Sequence, residues 1–430
     1  MRTKKMMKYY IDSMLEAGAD KAQCFLKKSK KDELNVESGE INLFRTNFDT
    51  TVKLTAIVDN KKGTYSLNKE DQDSIDAAVE KVIAIATTSK PDEANDISPE
   101  QPAQVFQSGP TEIDASRMYD SLEEFLKYAK AKYPDTIYEQ LILAYNKSNV
   151  YYMNSNGVDL QSNKGIYGMS AMFTSKKGEK TSSFNYTGFT KQELEKPLQN
   201  YGYLDELLQQ SSEQLHLKSF PGKIKGDIII TPHCLTEFIS SIARYLGDYY
   251  LITGNSIYKD SLNKQIADSQ LTLHSSPRVD EIDDKKFITG DGFIAQNNTI
   301  IKNGVLRSFL LSLYGANKTG QDRALNRSSR WVIEPGEKSY KDMIEEVENG
   351  ILLCRFSGGN PNDNGDFSGV AKNSYYIKDG EIQYPISETM IAGNLAKLLL
   401  NIVNISNDRI DFGSSILPWI QFSDVVISGK

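Results

Sequence analysis

The sequence predicts an α+β protein of two domains: an N-terminal helix-plus-hairpin domain and a C-terminal domain of large antiparallel, barrel-like sheets with a few helices. Three observations carry this reading. The segments "TIIKNGVLRSFL" and "YYIKDGEIQYPI" are look-alike hairpins, each a β run, Asn-Gly or Asp-Gly, then a second β run. Helical stripes are few and scattered between such hairpins. Their alternation does not follow the strand–helix–strand rhythm of a doubly wound parallel sheet.

Taken in order, Met7, Tyr10, Ile11, Met14 and Leu15 mark one face of a helix that Gly18 stops. "AQCFLKK" and "DELNVESGEI" read as strands, with "KKSKK" at 27–31 as a solvated hairpin turn between them. "VKLTAIVDNKKGTYSL" reads as a hairpin turning at Asp59 to Gly63. A second helix begins after an N-cap at Asn68 and buries Ile75, Ala78, Val79, Val82, Ile83 and Ala86. Residues 90–111 hold four prolines and read as a surface connection. A third helix starts near Ser116, turns Met118, Leu122, Phe125, Leu126 and Ala129 inward, and ends before Pro134. Strand and turn patterns follow to about residue 190. The polar, partly helical stretch 191–225 is the expected connection, so the domains are 1–190 and 226–430. The second domain opens on the buried strand "GDIIITP" and a helix with Leu235, Phe238, Ile239 and Ile242 on one face. A last helix is expected to carry Ile391, Leu395, Leu398, Leu399 and Ile402.

Composition narrows the function. Of 430 residues, 39% are hydrophobic and 25% charged, as in ordinary globular proteins. A net charge of −7 disfavours a general nucleic-acid binder, which needs a basic face against phosphates. Three cysteines, Cys24, Cys234 and Cys354, are too few and too odd in number for a disulfide framework and suit a reducing compartment. The first residues lack the apolar core of a signal peptide, and no apolar run has the length of a membrane span, so a cytoplasmic protein is expected.

No self-contained catalytic constellation emerges from the residues. In the Gly- and Asn-rich loop "SGGNPNDNGDFSG", Asn360, Asn362, Asn364 and Gly365 fall on EF-hand places one, three, five and six, but place twelve is Ala371 instead of a bidentate Glu. A turn needing several φ > 0 positions accounts for the same residues. There is no Gly-x-x-x-x-Gly-Lys phosphate loop, no His-Glu-x-x-His and no Gly-x-Ser-x-Gly. His233, Cys234 and Glu237 lie close together in "PHCLTE" and form a candidate metal cluster, with a plain helix start as the alternative. Arg323 and Arg327, if helical, share a face that could take an anion or a peptide carboxylate, with a plain solvated face as the favoured alternative.

Longer stretches are more specific. "GDFSGVAKNSYYIKDGEIQYPISETMIAGNL", "NISNDRIDFGSSILPWIQFSDVVISGK", "GNSIYKDSLNKQIADSQLTL" and "IKNGVLRSFLLSLYGANKTGQDRALN" together resemble the TldD/PmbA family, once called modulators of DNA gyrase and regarded as metalloproteases. "GEINLFRTNFDTTVKLTAIVDNKKGTYSLN" is similar to the family's first domain. The TldD branch carries His-Glu-x-x-x-His on a helix and a Cys near the C-terminus, which hold the metal while the Glu acts as general base. The resemblance places Ser240 and Ser241 at the first His and the Glu, and Tyr245 at the second His. Hydroxyls there neither bind zinc tightly nor serve as the base. "DFGSSILPWI" has no Cys.

The chain therefore resembles the PmbA branch, also called TldE, which lacks the metal motif and pairs with a TldD-type subunit. What the resemblance implies is a dimer, homodimeric or with a metal-bearing TldD-type partner, that acts on unfolded or extended peptides, with zinc in the partner alone. Groove or interface candidates are Asn255, Arg323, Arg327, Asn364, Asp366, Phe367 and Ser368. The rival expectations are a stand-alone peptidase built on His233, Cys234 and Glu237 or on serines, and a homodimeric peptide-binding module.

Overall fold

A computed structural model describes residues 2–429. The first part runs α1 (Arg2–Glu16), β1 (Lys21–Glu37), β2 (Glu40–Val58), β3 (Lys61–Leu67), α2 (Gln72–Thr88), β4 (Gln104–Ser108), α3 (Ala115–Lys132), β5 (Thr136–Asn154), β6 (Asp159–Lys177), β7 (Lys180–Thr181) and β8 (Asn185–Lys191). Its sheet has the order β3-β2-β1-β5-β6-β4, with β7 and β8 also on β6, and only β4 lies parallel to its neighbour. Helix α4 (Leu204–Glu213) follows.

One face of this sheet serves two helical layers. Ala22, Cys24 and Leu26 of β1 pack with Met7, Tyr10 and Met14 of α1 and with Val79 and Val82 of α2. Further along the same strand, Leu34 and Val36 join Leu122 and Phe125 of α3. The gap between the layers is where the lysines fall. "KKSKK" is therefore mid-strand, not a turn: β1 is continuous and paired on both sides, Lys30 opposite Phe48 and Lys147. Lys28 pairs with Glu70 at 2.7 Å and Lys30 with Asp32 at 2.9 Å, so the charges stay partnered. The real turn is Ser38-Gly39, both at positive φ.

The expected hairpin forms, but its turn is only Asp59-Asn60, both near φ +50 to +60° as a two-residue turn of this twist requires, and Lys61 to Gly63 already belong to β3. Helix α2 starts later than expected. Leu67 still pairs with Val52, and the cap is Asp71, whose carboxylate accepts from Ser74 N at 3.0 Å, in place of Asn68. The 90–111 connection is not all surface, since Phe106 of β4 is buried against Phe287.

The second part contains β9 (Lys218–Ser219), β10 (Lys223–Ile230), α5 (Pro232–Tyr245), α6 (Asp248–Ile252), β11 (Leu273–Ser275), β12 (Asn298–Lys302), β13 (Val305–Leu306), α7 (Leu313–Thr319), β14 (Trp331–Ile333), α8 (Tyr340–Glu345), β15 (Asn349–Leu353), β16 (Arg355–Gly358), β17 (Asp366–Lys372), β18 (Tyr375–Lys378), β19 (Glu381–Ser387), β20 (Thr389–Asn394), α9 (Leu395–Leu400), β21 (Ile402–Asp411) and β22 (Ile416–Ser428). They form one large, branched, mostly antiparallel sheet. Long β22 is its hub, pairing with β10, β14, β20 and β21. A branch runs β22-β20-β17-β16 and ends at β16. The β12–β13 and β18–β19 hairpins turn at Asn303-Gly304 and Asp379-Gly380, all four residues at positive φ.

Two expectations change here. The last helix is only α9; Ile391 belongs to β20 and Ile402 to β21, and both are buried by sheet packing. "RALNRSSR" is not helical. Each arginine is drawn to a different carboxylate: Arg323 to Asp291, Arg327 to Asp248 and Arg330 to Asp284. The chain is irregular across this stretch. Among the described residues no helix is long and apolar enough to cross a membrane.

Candidate functional site

Helix α5 builds the site from its two faces. Pro232 stands in its first turn, where a missing N–H costs nothing. Leu235, Phe238, Ile239 and Ile242 enter the core of the large sheet, as their spacing predicts. The opposite stripe, Glu237, Ser241 and Arg244 with Thr236 and Ser240, forms one wall of a cavity of about 410 Å³. The other wall is the end of β16 and the loop after it, Gly358 to Pro361. Pairs among Phe238, Phe356 and Phe367 have ring centroids 5.6 to 5.9 Å apart and make an aromatic floor. Glycine is needed beside that floor. A Cβ on Gly358 or Gly369 would come within 2.5 Å of the Phe356 ring.

The Gly- and Asn-rich loop is a turn built from its own side chains. The Asn362 side-chain carbonyl accepts from the backbone of Asn364 at 2.9 Å and of Asp366 at 3.0 Å, while Gly365 sits at φ 85°. The Asn394 amide donates to Asn364 O and to the Asp366 carboxylate, both at 2.9 Å. Tyr245, at the end of α5, donates its hydroxyl to Asn362 O. Asn255 is exposed in the turn after α6, in a segment whose Ile257 borders Gly365.

Two of the three positions that resemblance assigns to the metal motif lie at this cavity, and the third, Tyr245, is buried beside it. Ser240 and Ser241 line it, but their hydroxyls bond back to Thr236 O at 2.8 Å and Glu237 O at 3.0 Å along the helix. With the Tyr245 hydroxyl committed to Asn362, no nitrogen, thiolate or carboxylate ligand stands at any of the three positions. This donor set does not fit zinc. Phe367 belongs to the floor. Ser368, next along β17, faces the opposite side and is exposed, as are Asn364 and Asp366.

His233, Cys234 and Glu237 do not converge. Cys234 is buried in the core, and burial pushes its thiol well above the usual range. The His233 ring packs against Tyr186 at 5.2 Å and Phe412 at 6.3 Å, and its Nδ1 is buried without a partner. Burial first, and the nearby Arg355 charge second, push its pKa down to about 4. Glu237 accepts from the Tyr186 hydroxyl at 2.9 Å. Among the described residues no three His, Cys, Asp or Glu side chains gather in ligating geometry.

Arg323 and Arg327 stand apart from this cavity. Arg323 makes two 2.9 Å hydrogen bonds to Asp291 and lies over the Phe293 ring at 3.6 Å. Burial works to raise the Asp291 pKa, yet the Arg323 hydrogen bonds and charge hold it down at about 2. Arg327 donates to Asp248 at 2.7 Å. The cavity residues absent from the sequence-based candidates include Phe238, Arg244, Phe356, Gly358 and Pro361. The i, i+4, i+7 polar stripe of Glu237, Ser241 and Arg244 was the available signal for one wall.

Comparison with known proteins agrees with this architecture. Residues 22–86 match the PmbA/TldA metallopeptidase domain 1, and residues 222–429 match the PmbA/TldA metallopeptidase C-terminal domain. The chain is 32% identical over 186 residues to the metalloprotease PmbA of Escherichia coli O157:H7, a match covering 40% of this chain and 41% of the relative's length. Its fold is that of TldE from Thermococcus kodakarensis, with a TM-score of 0.84 at 20% identity over 99% of this chain and 100% of that one. A Bacteroides thetaiotaomicron protein described as a candidate modulator of DNA gyrase superposes with a TM-score of 0.88 at 22% identity, covering 100% and 99% of the two chains. With two family domains matched over more than half of its length, the chain belongs to the TldD/PmbA family.

Proposed function

We propose that this chain is the non-catalytic, PmbA-type (TldE-type) subunit of a cytoplasmic metalloprotease of its family, and that the α5–β16 cavity is its share of a groove for unfolded or extended peptides. The observation that carries the reading is the one-sided pairing of β16. It bonds to β17, from Arg355 opposite Lys372 to Gly358 opposite Gly369, and to no other strand among the described residues. An open edge beside an aromatic floor suits a peptide added as a strand, whose main chain is read more than its side chains. The hydroxyls at Ser240, Ser241 and Tyr245 leave the zinc and the general base to a TldD-type partner.

A second edge supports assembly. From Glu40 to Thr51, β2 pairs with β1 alone, because β3 begins its pairing at Val52. Leu43, Phe44 and Phe48 are 43%, 51% and 78% exposed along it. An open strand carrying large apolar side chains is a template for a partner chain. It would serve a TldD-type subunit or a second copy of this chain. The stand-alone peptidase has less support, since Cys234 points into the core, away from Glu237.

The test is co-expression with a His-Glu-x-x-x-His family member of the same genome, followed by a peptidase assay on unfolded casein. The expected result is a stable complex whose activity requires both chains and disappears when the partner's motif Glu is replaced by Gln. Zinc-dependent cleavage by this chain alone would overturn the reading.

A further inference from the structure

We infer that Arg244 is a carboxylate anchor, receiving the free C-terminus of the peptide held in the α5–β16 cavity. The inference rests on the groove reading and names its polarity and its ligand. Arg323, Arg327 and Arg330 each meet a carboxylate within 2.9 Å. Arg244 lines the cavity and has none among the described residues. Its guanidinium makes only a long hydrogen bond to the facing wall, 3.5 Å from Nη2 to Pro361 O, and its Nε is buried with no acceptor. A cation in the last turn of a helix suits the helix dipole, which accounts for an arginine there but not for a buried, unsatisfied Nε. The guanidinium carbon lies 5.8 and 5.9 Å from the ring centres of Tyr245 and Tyr250, which restrict the fork before any ligand arrives. A carboxylate in the cavity would accept two N–H bonds from Nη1 and Nη2, the nitrogens of the fork that are not enclosed.

Glu237 sets the direction. It lines the same cavity seven residues earlier on α5, about 10 Å away along the axis. That separation matches about three residues of extended chain. Glu237 repels a carboxylate at its end of the groove and Arg244 attracts one at the other, so a peptide with a single terminal carboxylate enters in one orientation. The floor of Phe238, Phe356 and Phe367 then meets the side chains just before the C-terminus and favours apolar ones. The ligand class is an extended peptide ending in apolar residues and a free α-carboxylate.

Calorimetric titration of the full-length protein tests this with three Ala- and Val-based pentapeptides. One has a free C-terminus, one a C-terminal amide, and one an amide following a terminal Asp. The free acid should bind about tenfold tighter than the simple amide, as loss of a charge-assisted bidentate contact implies. Arg244→Gln should erase that preference, bringing the affinities for acid and amide together, and Arg244→Lys should keep part of it. Equal binding of acid and amide to the unmodified protein overturns the anchor and leaves the groove standing. Binding of the Asp amide as tightly as the free acid overturns the C-terminal assignment in favour of a side-chain carboxylate. No binding of any peptide overturns the groove as well. Should Arg244→Gln fail to fold, the acid-to-amide ratio of the unmodified protein and of Arg244→Lys decides the matter.

Discussion

The hydroxyl of Tyr245 donates to the main-chain carbonyl of Asn362, tying the last turn of α5 to the tip of the β16–β17 hairpin. Two segments more than a hundred residues apart thereby become the two walls of one cavity. The aromatic ring that resemblance assigns to a metal-ligand position is a strut between the two walls of the cavity.

Removing the strut alone should be mild for the fold and visible at the groove. Tyr245→Phe keeps the buried ring and loses one hydrogen bond, an expected cost of about 1 kcal/mol. Hydrogen exchange at residues 359–365 should speed up and the affinity for extended peptides should fall. Unchanged exchange in that loop would remove the strut from the account.

Asp291 should matter for stability. It and Arg323 are only 21% and 16% exposed, and the neighbouring Gly292 carbonyl accepts from Gln101 of the first part at 2.8 Å. Asp291→Ala leaves a buried guanidinium unpaired and should cost about 3 kcal/mol in denaturant unfolding. The double substitution with Arg323→Met should recover much of that loss. A double variant no better than the single would show that the pair is not the cause.

Acid should weaken the fold through His233. In the unfolded chain it takes up its proton near pH 6.5, whereas the folded ring, flanked by Tyr186, Phe412 and Arg355, resists down to about 4. Its contribution is therefore fully present above pH ~6.5 and is lost as pH falls towards 4. The expected loss over that range is about 2 kcal/mol. His233→Gln should flatten the stability profile between pH 6.5 and 4. An unchanged profile would assign the acid sensitivity to other groups.

The exposed β2 edge should report on assembly. Phe48→Glu removes the most exposed aromatic of that strand and should change monomer stability by no more than about 0.5 kcal/mol. Light scattering should show weakened association with the partner subunit or with a second copy. Intact association would move the interface elsewhere.

Much of the fold could be read from local chemistry. Asp59-Asn60, Asn303-Gly304 and Asp379-Gly380 turn where the residue types allow positive φ, and the stripes of α2, α3 and α5 are buried as their spacing implies. The "KKSKK" run was misread because its place under a gap between two helical layers is a property of the assembled sheet. Arg323 and Arg327 looked like free cations because their carboxylates lie 32 and 79 residues away in sequence. Ser240, Ser241 and Tyr245 were found through family resemblance. The cavity that Ser240 and Ser241 line was hidden because Phe238 and Phe356 meet only across the folded sheet.

The central claim is that this chain contributes a peptide groove and not a metal centre. The most direct test is zinc content of the untagged protein, purified without chelators and measured by mass spectrometry against protein concentration. The account predicts zinc far below one per chain, unaffected by His233→Ala. Near-stoichiometric zinc that is lost on His233→Ala or Glu237→Ala would contradict it and place a metal site at the start of α5.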